Sequence, residues 1–343
     1  MKAQATLKDI ARETGVHVST VSRALDPNFR HLLTSEVVGR VTAAADALDY
    51  RPNRIALGLR TKRSMTVGII IPDIANSMFP PIVRGIECVL EPLGYASIIV
   101  NTDNAPEREN RLVDVLSERG VDGIVHAASL RSDEKLSRIE SSGVPVVALN
   151  RSTGISSIPE IVHDESYGIE LAMRHLHDFG HRRIAFISGP PTLSTGLTRL
   201  ESFKLNCDRL RIPAESPMII IAERFDESEG KRCAEELCRS GHPFSAVLCA
   251  NDLLALGAIG ALKKHGLHCP DDVSVTGFND MPALEFASPR LTTIRVRKFE
   301  AGRRAAEILA SRMEDPKKPV PDRTVLPIKL IARSSVSQAR KIS

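Results

Sequence analysis

The stretch TLKDIARETGVHVSTVSRAL, Thr6 to Leu25, carries the side chains best placed for chemistry. Apolar residues recur there at three- and four-residue spacing: Leu7, Ile10 and Ala11, then Val18, Val21 and Leu25. That spacing predicts two short helices, joined at Gly15. Thr6 and Asp9 fit a capping box at the start of the first. The outer face of the second presents His17, Ser19, Thr20, Ser22 and Arg23. Arg can bond guanine O6 and N7 in the major groove, and Ser and Thr reach phosphates or base edges. A helix-turn-helix that reads DNA is one reading. An ordinary αα-hairpin with a polar face is the other.

Other constellations are missing. The sequence has no GxGxxG, no GxxxxGK[ST] and no GxSxG. No acid, base and nucleophile stand out together, so no enzyme is indicated. His175, His177 and His181 could suggest a metal. On a helix, however, His177 and His181 share a face while His175 points elsewhere, and Gly180 places His181 beyond the helix end. A basic set at a helix C-terminus is the simpler reading. No cofactor or metal is expected.

The elements that must position these residues divide at about residue 64. Before it, a third helix is predicted over 35–48, with Val37, Val38, Val41, Ala44, Ala45 and Leu48 inward. Pro27 lies in the loop ahead of it, and Tyr50-Arg51-Pro52-Asn53 ends it. After residue 64, β-rich runs near 67–71, 96–100, 123–127, 144–149, 183–188, 218–222, 246–250 and 273–277 alternate with helical patterns. Those helices fall near 79–93, 106–119, 133–142, 165–180, 197–211, 227–240, 252–265 and 299–313. Such alternation predicts an α/β fold with parallel sheets. Eight strands fit two doubly wound sheets better than one, with a ligand outside the carboxyl ends of the strands.

The 343 residues are 42% hydrophobic and 26% charged, which excludes disordered and fibrous classes. No apolar run approaches the ~18 residues of a membrane span, and no secretion signal is evident, so a cytoplasmic location without a membrane partner is expected. The net charge of +4 is uneven. Residues 1–63 carry +5 and the rest −1, which points the N-terminal segment at a polyanion. No CxxC pair occurs among the six cysteines, which are expected to be reduced and mostly packed.

Leu7-Lys8-Asp9-Ile10-Ala11, Gly15-Val16, Thr20-Val21-Ser22-Arg23 and Tyr50-Arg51-Pro52-Asn53 resemble the LacI/GalR family of bacterial transcription regulators. The resemblance continues through Val67-Gly68-Ile69-Ile70-Ile71-Pro72-Asp73, Gly180-His181-Arg182-Arg183-Ile184-Ala185-Phe186, Ala250-Asn251-Asp252, Gly277-Phe278-Asn279-Asp280 and Leu291-Thr292-Thr293-Ile294. It implies a helix-turn-helix head over 1–52, a hinge helix and linker over 53–64, and a two-lobed core, similar to periplasmic binding proteins, over 65–343. By the same resemblance one lobe spans about 65–163 and 295–323, and the other about 164–294 and 324–343.

Val18, Ser19 and Arg23 are then similar to base-reading positions, and Thr6, His17, Thr20 and Ser22 to phosphate contacts. His17 departs from the Ser common there, and Val18 is apolar where several members are polar. Asn53 to Arg60 would form the hinge helix, with Ala56 and Leu59 in the minor groove and Leu59 parting a base step. The implied effector cleft holds Asn76, Phe79, Ser129, Asn150, Arg199, Phe225, Asp252 and Asn279. The two Phe rings can stack on a sugar face, and Arg199 offers five donors. Asn150 and Asn279 replace Asp residues common in the family, and Leu193 replaces the Arg of a purine-binding member. That mix suits a sugar or a sugar-derived acid, and fewer carboxylates beside Arg199 make an anionic ligand less costly, which favours a sugar acid or similar metabolite. The expected function is a repressor that binds a pseudo-palindromic operator on double-stranded DNA as a homodimer, under control of a small-molecule effector. The core alone would also suit a solute-binding protein, a reading the basic head opposes.

Overall fold

The computed structural model describes residues 5–26, 29–50, 63–130, 134–213 and 218–340. The chain divides into two compact units, one ending at Ser64 and one beginning at Met65. The expected hinge helix, with Asn53, Ala56 and Leu59, and the loop residue Pro27 lie outside the described residues.

In the first unit, α1 (Leu7–Thr14), α2 (Val18–Leu25) and α3 (Ser35–Ala47) enclose a small core of Ile10, Val21, Ala24, Val41 and Ala45. A single 3₁₀ turn, Arg30–Leu32, precedes α3. The Thr6 amide donates to Asp9 Oδ2 at 2.9 Å and the Thr6 hydroxyl to the same oxygen at 2.7 Å. The predicted capping pair therefore forms. Gly15 adopts φ +67°, the left-handed conformation that lets α1 end and α2 begin two residues later. Leu48, expected inward, is the C-cap of α3 and is exposed.

The second unit holds two six-stranded sheets. The first contains β1 (Thr66–Ile71), β2 (Ala96–Asn101), β3 (Gly123–His126), β4 (Val146–Leu149), β5 (Glu160–His163) and β11 (Arg323–Leu326), in the order β11-β5-β4-β3-β1-β2. The second contains β6 (Ile184–Ser188), β7 (Ile219–Ile221), β8 (Ala246–Cys249), β9 (Ser274–Asn279), β10 (Thr292–Arg295) and β12 (Lys329–Ile331), in the order β12-β10-β9-β8-β6-β7. All pairings are parallel except β10 with β12. Strands β3, β4, β6 and β8 are buried along their whole length, which explains their continuous apolar runs.

Helices α4 (Phe79–Leu90), α5 (Pro106–Glu118), α6 (Glu134–Ser141) and α11 (Lys298–Glu314) accompany the first sheet. Helices α7 (Glu165–Asp178), α8 (Ser194–Leu210), α9 (Glu227–Arg239) and α10 (Asp252–Lys264) accompany the second. Apart from the strands added at one edge, both sheets have the same order, which reverses beside β1 in one and beside β6 in the other. Such a reversal opens a crevice at the carboxyl ends of the strands. The chain passes between sheets three times: after β5, after β10 and after β11. Because Arg323–Leu326 pairs in register with Glu160–His163, the last passage follows Leu326 rather than residue 323. Strands β5, β10, β11 and β12 were not anticipated. Each has only three or four residues, too short to show a period.

Candidate functional site

The first site is the outer face of α2. His17 is its N-cap, and its Nδ1 accepts the Ser19 amide at 3.3 Å and lies 2.8 Å from Ser19 Oγ. This places His17 and Ser19 together at the exposed start of the helix, where free amides and the dipole favour an anion. Ser19 and Arg23 are exposed one turn apart, and Val18, Thr20 and Ser22 are half-buried. The Arg23 guanidinium makes no ion pair among the described residues. Thr6 is exposed at the start of α1, but its hydroxyl is already committed to Asp9. The two Thr6 hydrogen bonds hold the Asp9 carboxyl below its ordinary value. The surface can thus offer short hydroxyl donors, one imidazole, one guanidinium and one methyl-bearing side chain to a nucleic-acid groove.

The second site is a cavity of about 250 Å³ between the two sheets of the core. Every wall segment except α4 and α8 leaves the carboxyl end of a strand. Asp73 and Asn76 follow β1, Asn104 follows β2, and Asn150 and Arg151 follow β4. From the other sheet come Phe225 after β7, Asn251 after β8 and Asn279 at the end of β9. Phe79 at the start of α4 and Arg199 in α8 complete the wall. Six of the eight residues implied by the sequence therefore meet: Asn76, Phe79, Asn150, Arg199, Phe225 and Asn279.

Two do not. Ser129 is fully buried outside the cavity, with its hydroxyl 2.9 Å from His126 Nδ1, and His126 Nε2 lies 3.1 Å from Glu109 Oε1. The connectivity is that of a hydrolase triad, but no solvent reaches Ser129. Asp252 is also fully buried. It accepts from the Thr293 hydroxyl at 2.5 Å and the Met281 amide at 2.9 Å, tying α10 to β10 and to the end of β9. Burial pushes its carboxyl up to about 7. The residue that faces the cavity is its neighbour Asn251, whose Oδ1 caps α10 at the Leu254 amide, 2.8 Å away. The cap turns one side chain outward, and the first helical residue after it turns inward.

Arg199 also differs from expectation. Its Nε donates to Glu165 Oε2 at 2.5 Å, its Nη1 donates to the Ala250 carbonyl, and its guanidinium lies 3.8 Å above the Phe278 ring. A carboxylate is thus present beside Arg199, and the cation is compensated before any ligand arrives. Arg151, which the sequence did not single out, is 5% exposed in the same cavity. Its Nη1 donates to the Ala128 carbonyl at 2.8 Å and its Nη2 to Asn104 Oδ1 at 3.0 Å. Burial lowers its pKa to about 10. Asn150 Oδ1 and Asn279 Oδ1 are buried and have no partner among the described residues. Both residues hold positive φ, +67° and +114°. Backbone strain of this kind collects at functional sites.

Among the described residues, no three His, Cys, Asp or Glu side chains are grouped to hold a metal ion. The histidine series is dispersed. His181 lies 2.8 Å from Ser245 Oγ and 3.0 Å from the Ser337 carbonyl, whereas His175 packs on Phe179. Among the same residues, no helix is long and apolar enough to cross a membrane.

Comparison with known proteins separates the same two units. Residues 6–53 match the model of bacterial regulatory proteins of the lacI family, and residues 173–336 match a periplasmic binding protein-like domain. The chain is 30% identical over 311 residues to an HTH-type transcriptional repressor PurR of Haemophilus influenzae, covering 90% of this chain and 91% of that protein. It is 32% identical over 339 residues to the HTH-type transcriptional regulator GalR of Salmonella typhimurium, covering 97% and 96%. Among solved structures it is similar to the lac repressor dimer bound to operator and an anti-inducer, with TM-score 0.85, 25% identity, and coverage of 98% and 100%. It is also similar to a CelR–cellobiose complex, with TM-score 0.74, 26% identity, and coverage of 97% and 100%. The helix-turn-helix head, the paired parallel sheets and these relatives agree: the chain belongs to the lacI family, a DNA-binding transcriptional repressor regulated by an effector and not an enzyme.

Proposed function

We propose that the effector is a sugar or a sugar-derived acid held in the interlobe cavity, and that its binding sets the affinity of a homodimer for a pseudo-palindromic operator. The observation that carries the ligand class is the pair of buried carbonyl oxygens on Asn150 and Asn279, which have no hydrogen-bond partner among the described residues. Each asks for a donor, and ligand hydroxyl groups supply donors. Phe79 and Phe225, one from each lobe's side of the cavity, offer ring faces for a pyranose. The CelR structure similar to this chain contains cellobiose, which favours the same class.

On the DNA side, Val18, Ser19 and Arg23 read bases while Thr6, His17, Thr20 and Ser22 hold phosphates. Asn53 begins the DNA-binding hinge, from which Ala56 and Leu59 enter the minor groove. Residues 1–52 act as the head, 53–64 as the hinge and linker, and 65–343 as the effector-binding core. A ligand touching both lobes favours one angle between them, and two heads on a two-fold dimer convert that angle into half-site spacing. The place of action is the cytoplasm, where the operator lies.

The test is retention of sheared genomic DNA of the source organism by the purified protein without ligand, followed by sequencing. Enrichment of a few sites sharing a pseudo-palindrome supports the proposal. Retention without any shared site, or retention indifferent to salt, opposes it, because phosphate contacts make log affinity fall linearly with log salt.

A further inference from the structure

Three guanidinium groups line the cavity, and they are not equivalent. Arg199 is paired with Glu165 at 2.5 Å, and Arg224 with Asp226 at 2.7 Å. Arg151 has only a carbonyl and an amide oxygen as partners, and no carboxylate lies within ion-pair distance of it among the described residues. It is also the deeper of the two cations not neutralised by Glu165: Arg151 is 5% exposed, whereas Arg224 is exposed. The cavity carboxylates do not reach it. Asp103 pairs with Arg108, Asp226 with Arg224, and Asp73 caps the Ala75 amide. The charge of Glu109 acts on Arg151 from beyond contact, and its carboxylate is in contact with His126 instead. A buried cation with no carboxylate in contact is costly, and proteins keep such groups where something pairs with them. Arg geometry favours a planar, two-oxygen partner.

We infer that Arg151 is the specificity-determining residue of the effector site and receives an oxyanion carried on a polyhydroxylated skeleton. This rests on the reading of the cavity as a sugar-type site and narrows it to the acidic members of that class. The oxyanion lies against Arg151. The hydroxyl groups donate to Asn150 Oδ1, next along the chain, and to Asn279 Oδ1 from the other sheet. Asn at both positions, in place of an acid, removes repulsion of the ligand at those two points of the wall. Arg199, already neutralised, orients rather than attracts.

The experiment is thermal denaturation and calorimetric titration of the full chain with matched probes: glucose and galactose, gluconate and galacturonate, and glucose 6-phosphate. A sugar acid is expected to raise the melting temperature and bind with measurable heat, while its neutral parent does not. Carboxylates alone responding identifies a sugar acid, and the phosphate alone identifies a sugar phosphate. Arg151→Met is expected to weaken binding of the responding acid roughly 100-fold, the scale of losing one buried charge partner, and Arg151→Lys is expected to retain part of it. A neutral sugar binding as tightly as its acid, an Arg151→Met variant that binds the acid within about threefold of wild type, or no response to any acid overturns the inference. If Arg151→Met does not fold, the comparison of acid and neutral probes on the wild type decides. Operator retention measured in parallel tests the regulator separately, so a failure of the one is not a failure of the other.

Discussion

Asp252 and His163 are both buried, and their surroundings push them in opposite senses. Burial raises the Asp252 carboxyl to about 7. Burial, aided by the charge of Arg199, lowers His163 to about 4. Unfolded Asp titrates near its reference value of ~3.9 and His near ~6.5. Between roughly pH 4 and 7, native Asp252 therefore holds a proton that the unfolded chain has released, so acidification stabilises. Between roughly pH 6.5 and 4, the unfolded chain protonates His163 and the native chain refuses it, so acidification destabilises. The two effects oppose each other over nearly the same window. Asp252→Asn is expected to lose stability steeply as pH falls below 6.5, and His163→Gln to gain it, while wild type stays comparatively flat. Urea denaturation of each protein from pH 4.5 to 7.5 checks this; parallel profiles for all three would refute it.

At the scale of elements, close helix pairs frame both halves of the cleft, and each is made possible by facing glycines. A Cβ on Gly85 of α4 would strike the Phe299 carbonyl of α11, and one on Gly302 of α11 would strike the Ile82 carbonyl of α4. In the second sheet's layer, Gly230 of α9 and Gly257 of α10 meet Leu254 and Glu227 in the same reciprocal way. Backbone is the obstacle at each position, so the neighbour cannot step aside. Gly39, exposed inside α3, meets nothing. Two alanine substitutions should then differ in sign. Gly257→Ala is expected to destabilise the core by about 1–3 kcal/mol through overpacking. Gly39→Ala is expected to stabilise the head by about 1 kcal/mol through helix propensity. Thermal melts that resolve head and core would check both, and equal shifts of one sign would contradict the packing argument.

For the whole molecule, the decisive feature is that two sheets of the same strand order turn their carboxyl ends to one cavity. A ligand there would meet β1- and β4-derived segments of one lobe and β8- and β9-derived segments of the other. Among the described residues, three strand-end passages link the lobes covalently. Ligand binding thus has a mechanical route to lobe angle, and coupling to DNA must be reciprocal. If an effector weakens operator affinity by some factor, operator must weaken effector affinity by the same factor, typically about 5–150-fold. Calorimetric titration of effector into free protein and into the operator complex measures this. Equal affinities in both would show that the cavity does not control DNA binding.

Much of this was readable in the sequence. The amphipathic spacing from Leu7 to Leu25 defines α1 and α2 because each helix must bury one face, and the long apolar runs at 67–71 and 246–249 define strands covered on both faces. The polar face of α2 follows from local pattern, and the six implied residues that meet in the cavity follow from family resemblance alone. Tertiary structure alone decided the rest. Asn251 and Asp252 are adjacent and chemically similar, and only the capping geometry of α10 sends one to the cavity and the other into the protein. Glu165 neutralises Arg199 from 34 residues away, and Arg151 has no carboxylate in ion-pair contact among the described residues because Asp103, Asp226 and Glu109 make their contacts elsewhere. Helical and strand periodicity are properties of neighbouring residues, set by the backbone. Charge compensation depends on distances between segments remote in the chain, and those exist only after folding.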